Sequence, residues 1–255
     1  MTDNRLLADT EITPPVGRRP GLVESMLQKW FMRRARVESI EALHPKFRLI
    51  TLSGEALKNV AWTPGDKVQI QLGGWVMRTY TPLEWDANEG RTRILVYLHA
   101  EGPGTEWART LRVGDSCALF GPRKSVDLTQ LRRPAILFGD ETSFGLARSL
   151  GGTDGQAEGV EFLFELSTPQ ESLAALEHLL ISNVSACVRT RDDSHWLEVQ
   201  SQMRRLLAAH RPVEFVLTGK STSVQRLRNF LKLEGVSASR IRSRAYWAPG
   251  RKGLD

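Results

Sequence analysis

Arg78, Tyr80 and Thr81 are the first residues in the chain whose types and spacing suggest chemistry. On a strand, residues 78 and 80 share one face. A guanidinium takes phosphate oxygens two at a time, a phenol packs on a flat ring, and a threonine hydroxyl hydrogen-bonds a ring nitrogen. Taken alone, Arg78-Thr79-Tyr80-Thr81 also fits an ordinary strand with a half-buried tyrosine. A second element adds weight. Leu98-His99 is followed by Gly102-Pro103-Gly104-Thr105-Glu106-Trp107-Ala108, a Gly/Pro turn at an expected helix start. Free N–H groups and the positive end of the helix dipole favour a phosphate there, and Thr105 adds a hydroxyl. The plainer alternative is a capped turn with His99 in the core. A third element, Val113-Gly114-Asp115 to Gly121-Pro122-Arg123-Lys124-Ser125, ends a strand in another anion-friendly loop. Together the three suit a flat aromatic cofactor that carries phosphates.

Such residues need strands and turns to gather them. Apolar and polar residues alternate at 36–43, 46–53, 67–72, 76–83, 91–99 and 115–120, each run bounded by Gly, Pro, Asp or Asn. Short strands at this spacing predict an antiparallel β-barrel. After Pro134 the pattern changes. A continuous apolar run at 135–138 and further expected strands at 160–166, 184–188, 213–217 and 240–246 alternate with helical stretches ending near 150 and spanning 170–181, 196–209 and 221–233. That order predicts a parallel sheet with helices on its faces. The expected fold class is therefore β followed by α/β. The expected division is a tail and short helix at 1–32, a barrel at 33–130, and a nucleotide-binding-like α/β domain at 131–255.

Composition excludes some functions. The chain has 35 basic and 29 acidic residues, a net charge of +6, and no nucleic-acid motif beside its basic clusters. No apolar run reaches membrane length, and the first residues lack the apolar core of a secretory signal. Cys117 and Cys187 stand alone, which rules out a CxxC metal framework and suits a reducing, cytoplasmic location. His44, His178, His195 and His210 lack partners at metal-ligand spacing and are expected at the surface. Asp193 is a candidate cap for the helix near 194. Ser143 lacks a nucleophile elbow. Trp30 reads as a core or interface anchor. Gly151, Gly152, Gly155 and Gly159 are not spaced as a GxGxxG fingerprint and read as a loop.

The ordered set resembles the siderophore-interacting proteins, FAD-dependent ferric-siderophore reductases of the ferredoxin–NADP reductase-like superfamily. The resemblance rests on Arg78-Thr79-Tyr80-Thr81, Leu98-His99, Gly102 to Ala108, Val113-Gly114-Asp115, Gly121-Pro122-Arg123, Gly139-Asp140-Glu141-Thr142 and Ala245-Tyr246-Trp247-Ala248-Pro249-Gly250. It spans about residues 33–250. It implies that Arg78 contacts the FAD pyrophosphate, Tyr80 packs on the isoalloxazine and Thr81 sits near N5. It further implies that Leu98 and His99 face the flavin or ribityl chain, that Gly104 and Thr105 hold phosphate, and that Trp107 packs nearby. Asp140, Thr142 and Gly219 are the matching cofactor-binding positions of the second half, and Trp247 closes over the flavin. The implied activity is reduction of a ferric siderophore or ferric chelate to Fe(II) with NADPH or NADH. A ferredoxin donor, service to another redox protein, and a binding protein without chemistry are the alternatives.

Three positions depart from the family pattern. Leu83 stands where a second arginine is frequent, Ser143-Phe144-Gly145 replaces an Ala-x-Pro segment, and Thr218-Gly219-Lys220 replaces Ala-Gly-Glu. Lys220, Arg244 and Arg251 are candidates to meet an anionic ligand, with Arg123 and Lys124 as further rim candidates.

Overall fold

Pro82 sets the shape of the first sheet. A proline has no N–H to give a ladder, so the run expected as one strand over 76–83 breaks at Thr81. In the computed structural model, which describes residues 32–74, 76–99, 101–151, 157–210 and 212–250, the run becomes β4 (Val76–Tyr80) and β5 (Pro82–Asp86). The others are β1 (Met32–His44), β2 (Phe47–Ser53), β3 (Asp66–Gly73), β6 (Arg91–Tyr97) and β7 (Ser116–Lys124). They form one antiparallel sheet in the order β4-β3-β7-β1-β2-β6-β5. β4 and β5 sit at opposite ends of that order, yet only Thr81 separates them. The sheet must therefore curl until its edges meet. The expected barrel is present as a curled sheet, closed by the chain at Thr81 and not by a ladder between β4 and β5.

Alternation decides what faces inward. Thr92, Ile94 and Val96 of β6, Ala35 and Val37 of β1, and Cys117 and Leu119 of β7 are all buried, with Val68 and Ile70 between them. Helix α1 (Pro103–Thr110) lies against this curl, contributing buried Ala108 and part-buried Trp107.

The second sheet is parallel: β8 (Ala135–Gly139), β9 (Val160–Leu166), β10 (Val184–Val188), β11 (Glu214–Lys220) and β12 (Ile241–Trp247), in the order β10-β9-β8-β11-β12. Its helices are α2 (Phe144–Leu150), α3 (Pro169–His178), α4 (Trp196–Ala209) and α5 (Ser221–Leu233). Every residue of β8 is buried, as its unbroken apolar run requires. Ile136, Phe138, Phe215 and Leu217 pack with Val199 and Met203 of α4 and Leu227 of α5. The opposite face carries Leu137, Phe162, Phe164 and Val216, and joins Phe47, Leu49 and Leu83 of the first sheet.

Leu83 thus has a packing role that its sequence position did not suggest. It is 2 % exposed in the core that joins the two sheets, where an unpaired arginine would be costly. Stacked rings run through the same core: Tyr97 on Phe47 at 4.9 Å between centroids, and Phe47 on Phe144 at 5.7 Å. The described residues all fall in one compact unit. Among them no helix is long and apolar enough to cross a membrane. The tail and helix at 1–31, Trp30 and Arg251 lie outside the described residues.

Candidate functional site

The predicted residues gather in two groups, one on each sheet. In the first, β4 pairs with β3 so that Arg78 lies opposite Ile70 and Tyr80 opposite Val68. Arg78 is half-buried, and its Nη1 donates to the Met77 carbonyl at 2.8 Å. Among the described residues it has no acidic partner. The Tyr80 ring lies 6.2 Å from that of Trp107, and burial raises the Tyr80 phenol well above its ordinary pKa, with Arg78 opposing. Gly104 brings the start of α1 against both side chains. A Cβ there would stand 3.5 Å from Arg78 Cγ and 3.6 Å from the Tyr80 hydroxyl.

No side chain caps that helix start. Gly102 is the N-cap, Pro103 has no N–H, and the first bond runs from Glu106 N–H to the Gly102 carbonyl at 2.9 Å. The N–H groups of Gly104 and Thr105 therefore lie outside the helical ladder. An arginine without a counter-ion beside an uncapped helix start fits a pyrophosphate, and the adjoining phenol fits a flat ring.

Leu98 is 8 % exposed within the barrel core, whereas His99 is exposed and stacked on Tyr97 at 5.3 Å. His99 Nδ1 lies 3.2 Å from the Tyr97 carbonyl. A carbonyl only accepts, so the neutral ring carries its proton on Nδ1 and leaves Nε2 as an acceptor.

The second group sits at the carboxyl ends of the parallel strands. Asp140 is 1 % exposed and caps the turn after β8. Its Oδ1 accepts from Thr142 N–H at 2.9 Å and from the Thr142 hydroxyl at 2.5 Å. Its Oδ2 accepts from Lys220 N–H at 3.0 Å, Trp247 Nε1–H at 2.7 Å and Arg189 Nη1 at 3.4 Å. Gly219 permits this approach: its φ is +95°, and a Cβ there would stand 2.7 Å from Asp140 Oδ2.

Arg189 was not singled out in the sequence. It follows β10 and reaches Asp140, Glu141 and Glu165 at 3.4, 3.3 and 3.7 Å, donates to the Ser167 hydroxyl, and lies 5.4 Å above the Trp247 ring. The available signal was an arginine just past a buried strand, at the end of the sheet where ligands bind. Glu141 accepts from Ser167 N–H at 2.5 Å and from the Tyr97 hydroxyl at 3.4 Å. Burial raises the Glu141 carboxyl above its ordinary pKa, Asp140 adds to the shift, and Arg189 opposes it.

Two expectations, for His195 and Asp193, are corrected. His195 is 5 % exposed, not at the surface, and its Nε2 lies 3.1 Å from Glu165. Glu165 also accepts from the Ser223 hydroxyl at 2.6 Å; burial raises its pKa, and these two hydrogen bonds oppose the rise. Asp193 does not cap α4. It adopts φ +60° and forms ion pairs with Arg226 at 2.8 Å and Lys220 Nζ at 3.6 Å. Lys220 is therefore already paired through its ammonium group. Of the rim candidates, Arg123 bonds to Gln69 and Lys124 pairs with Asp127 at 2.8 Å. Arg244 is half-buried on β12, opposite Thr218.

The two groups meet at Thr81. Its carbonyl lies only 2.6 Å from where a Gly145 Cβ would stand, so only glycine lets α2 approach the β4–β5 junction. Tyr246 faces the Thr81 side chain without reaching hydrogen-bond geometry, and burial pushes its phenol up to about 12.

A curled antiparallel sheet followed by this parallel sheet is the two-domain fold of the ferredoxin reductase-like proteins. Residues 73–126 match the family model described as the siderophore-interacting FAD-binding domain. A siderophore utilization protein from T. fusca superposes with a TM-score of 0.70 at 20 % identity, over 88 % of this chain and 95 % of that one. The siderophore-interacting protein SipS from Aeromonas hydrophila gives 0.70 at 20 %, over 87 % and 93 %. Phthalate dioxygenase reductase gives 0.71 at 15 %, over 88 % and 71 %.

Proposed function

We propose that the chain is an FAD-dependent oxidoreductase that carries electrons from NADPH or NADH to Fe(III) held by a siderophore or similar chelate, releasing Fe(II). The observation that carries this reading is Arg78. It is a half-buried guanidinium with no acidic partner among the described residues, set against the uncapped start of α1 inside the matched segment. Residues 33–130 serve as the flavin half and 131–255 as the donor half.

In this reading Arg78 and the N–H groups of Gly104 and Thr105 hold the pyrophosphate. Tyr80 and Trp107 give the ring its apolar wall, Thr81 fixes its edge, and His99 Nε2 accepts from a hydroxyl of the cofactor chain. FAD supplies a carrier that takes two electrons together and gives them up singly. The chain itself needs no acid or base for the electron transfer. It has to bind, orient and exclude water, and Trp247 does the last at the boundary of the two sheets. A net charge of +6 raises the encounter rate of anionic ferric chelates. A cytoplasmic setting suits two unpaired, buried thiols.

The test is direct. Purified protein incubated with FAD turns yellow and stays so through gel filtration. Anaerobic NADPH or NADH then bleaches it, and a ferric chelate restores the colour with release of Fe(II). A protein that stays colourless fails the reading at its first step. A second reading, electron exchange with another redox protein, is favoured by the fold likeness to phthalate dioxygenase reductase, described as moving electrons from pyridine nucleotides to a 2Fe-2S centre. Bleaching by ferredoxin but by neither nucleotide, or bleaching without faster Fe(II) release, would select it.

A further inference from the structure

Open parallel sheets bind ligands, a dinucleotide's pyrophosphate among them, in the crevice beyond the strand ends where the strand order reverses. Here that switch point lies between β8 and β11, the first and fourth strands of the sheet. The position is already filled by a side chain of the protein. Asp140 lies at the end of β8, and its two oxygens receive five donors: Thr142 N–H and hydroxyl, Lys220 N–H, Trp247 Nε1–H and Arg189 Nη1. A phosphate in that crevice would call on the same kind of donors. Gly219 permits the close approach of this carboxylate, since a Cβ there would stand 2.7 Å from Asp140 Oδ2. Glu141 places a second buried carboxylate one residue away, and Arg189 is the one arginine or lysine side chain bonded to either among the described residues.

We propose that Asp140 is a selectivity residue for the electron donor: its carboxylate takes the anion position of the switch-point crevice and keeps a dinucleotide's pyrophosphate out. A pyridine-nucleotide donor is then held by its nicotinamide end alone. The inference rests on the pyridine-nucleotide reading above. Like charge is the reason. An incoming pyrophosphate would have to displace the Trp247–Asp140 hydrogen bond and share Arg189 with two carboxylates, in a site with little water to screen them.

The probe is ADP-ribose, which carries the pyrophosphate without nicotinamide, titrated calorimetrically into FAD-saturated protein. The wild type gives no isotherm at millimolar ligand. Asp140→Asn, which removes the charge at nearly constant shape, binds about tenfold tighter or better. Trp247→Phe, which removes one donor and keeps the charge, stays as weak as the wild type. If the Asn variant does not fold, the comparison that follows, made on the wild type, keeps the test open. In a second measurement on the wild type, reduced nicotinamide riboside and NADH half-saturate flavin bleaching within about threefold of each other, because the pyrophosphate adds no binding. Micromolar ADP-ribose binding to the wild type, equal affinity of wild type and a folded Asn variant, or NADH better than the riboside by about tenfold overturns the proposal. Flavin content, read from visible absorbance on each sample, reports separately on the flavin reading.

Discussion

At the scale of single residues, Arg78 and Glu141 are both charged and poorly hydrated, but they differ in their partners. Arg78 has no counter-ion among the described residues, so its removal leaves no opposite charge stranded. Charge-assisted hydrogen bonds contribute roughly 1.5–3 kcal/mol, so Arg78→Ala should weaken FAD binding by about ten- to a hundredfold while the melting temperature of flavin-free protein barely moves. Fluorescence titration with FAD and a thermal melt check both halves of that statement. Glu141 is partnered but buried, and its folded pKa stands above the ordinary value. The stability it contributes is therefore fully present below about pH 4.5, its unfolded value, and is lost as pH rises through the folded value. Glu141→Gln does not titrate. The wild type should lose ground to it as pH rises above about 4.5, by about 1.4 kcal/mol per unit of raised pKa. Parallel melts of the two proteins across that range read the difference, and parallel curves would refute it.

At the scale of elements, the close approach of α2 to the β4–β5 junction is the most demanding local fit. Gly145→Ala would set a Cβ 2.6 Å from the Thr81 carbonyl, which belongs to the backbone and cannot rotate aside. Overpacking of this kind costs about 1–3 kcal/mol, so the variant should melt lower and hold FAD less tightly, because the strand bearing Arg78 and Tyr80 shifts with the junction. Calorimetry and flavin titration on one preparation test this; a lower melting temperature with unchanged FAD affinity would detach the junction from the flavin site. Most elements were legible because their burial follows their period: alternation in β6 and an unbroken apolar run in β8 each have one good solution. The break at Thr81 was readable in principle from Pro82. The Arg189 cluster was not, because Asp140, Glu165 and Arg189 lie far apart in the sequence and meet only once the parallel strands align. The same applies to His195, whose only visible feature in the sequence was the lack of a nearby partner. Leu83 seemed a lost polar contact because its sequence neighbours belong to the flavin motif, while the core it joins is drawn from distant segments, among them Phe47, Leu49, Phe144 and Leu146.

At the scale of the whole molecule, the question is whether two sheets of different type behave as one folding unit. The face of the parallel sheet that meets the curled sheet is a single apolar cluster, with Phe47, Leu49 and Leu83 set among Phe144, Leu146, Phe162 and Phe164. Neither sheet can shed the other without exposing several fully buried aromatic side chains, each worth a few kcal/mol of transfer free energy. Unfolding should therefore occur in one transition, with near-ultraviolet dichroism, far-ultraviolet dichroism and flavin release coinciding. Leu83→Ala removes a side chain from the centre of that cluster and should cost about 2–5 kcal/mol, moving all three probes together. Two resolved transitions, with only the first moved by Leu83→Ala, would mean that the sheets fold independently. The flavin site would then depend on the curled sheet alone. A single shifted transition instead ties the geometry at Thr81 to the whole molecule's stability, as expected for a site whose two halves are each set by the core between them.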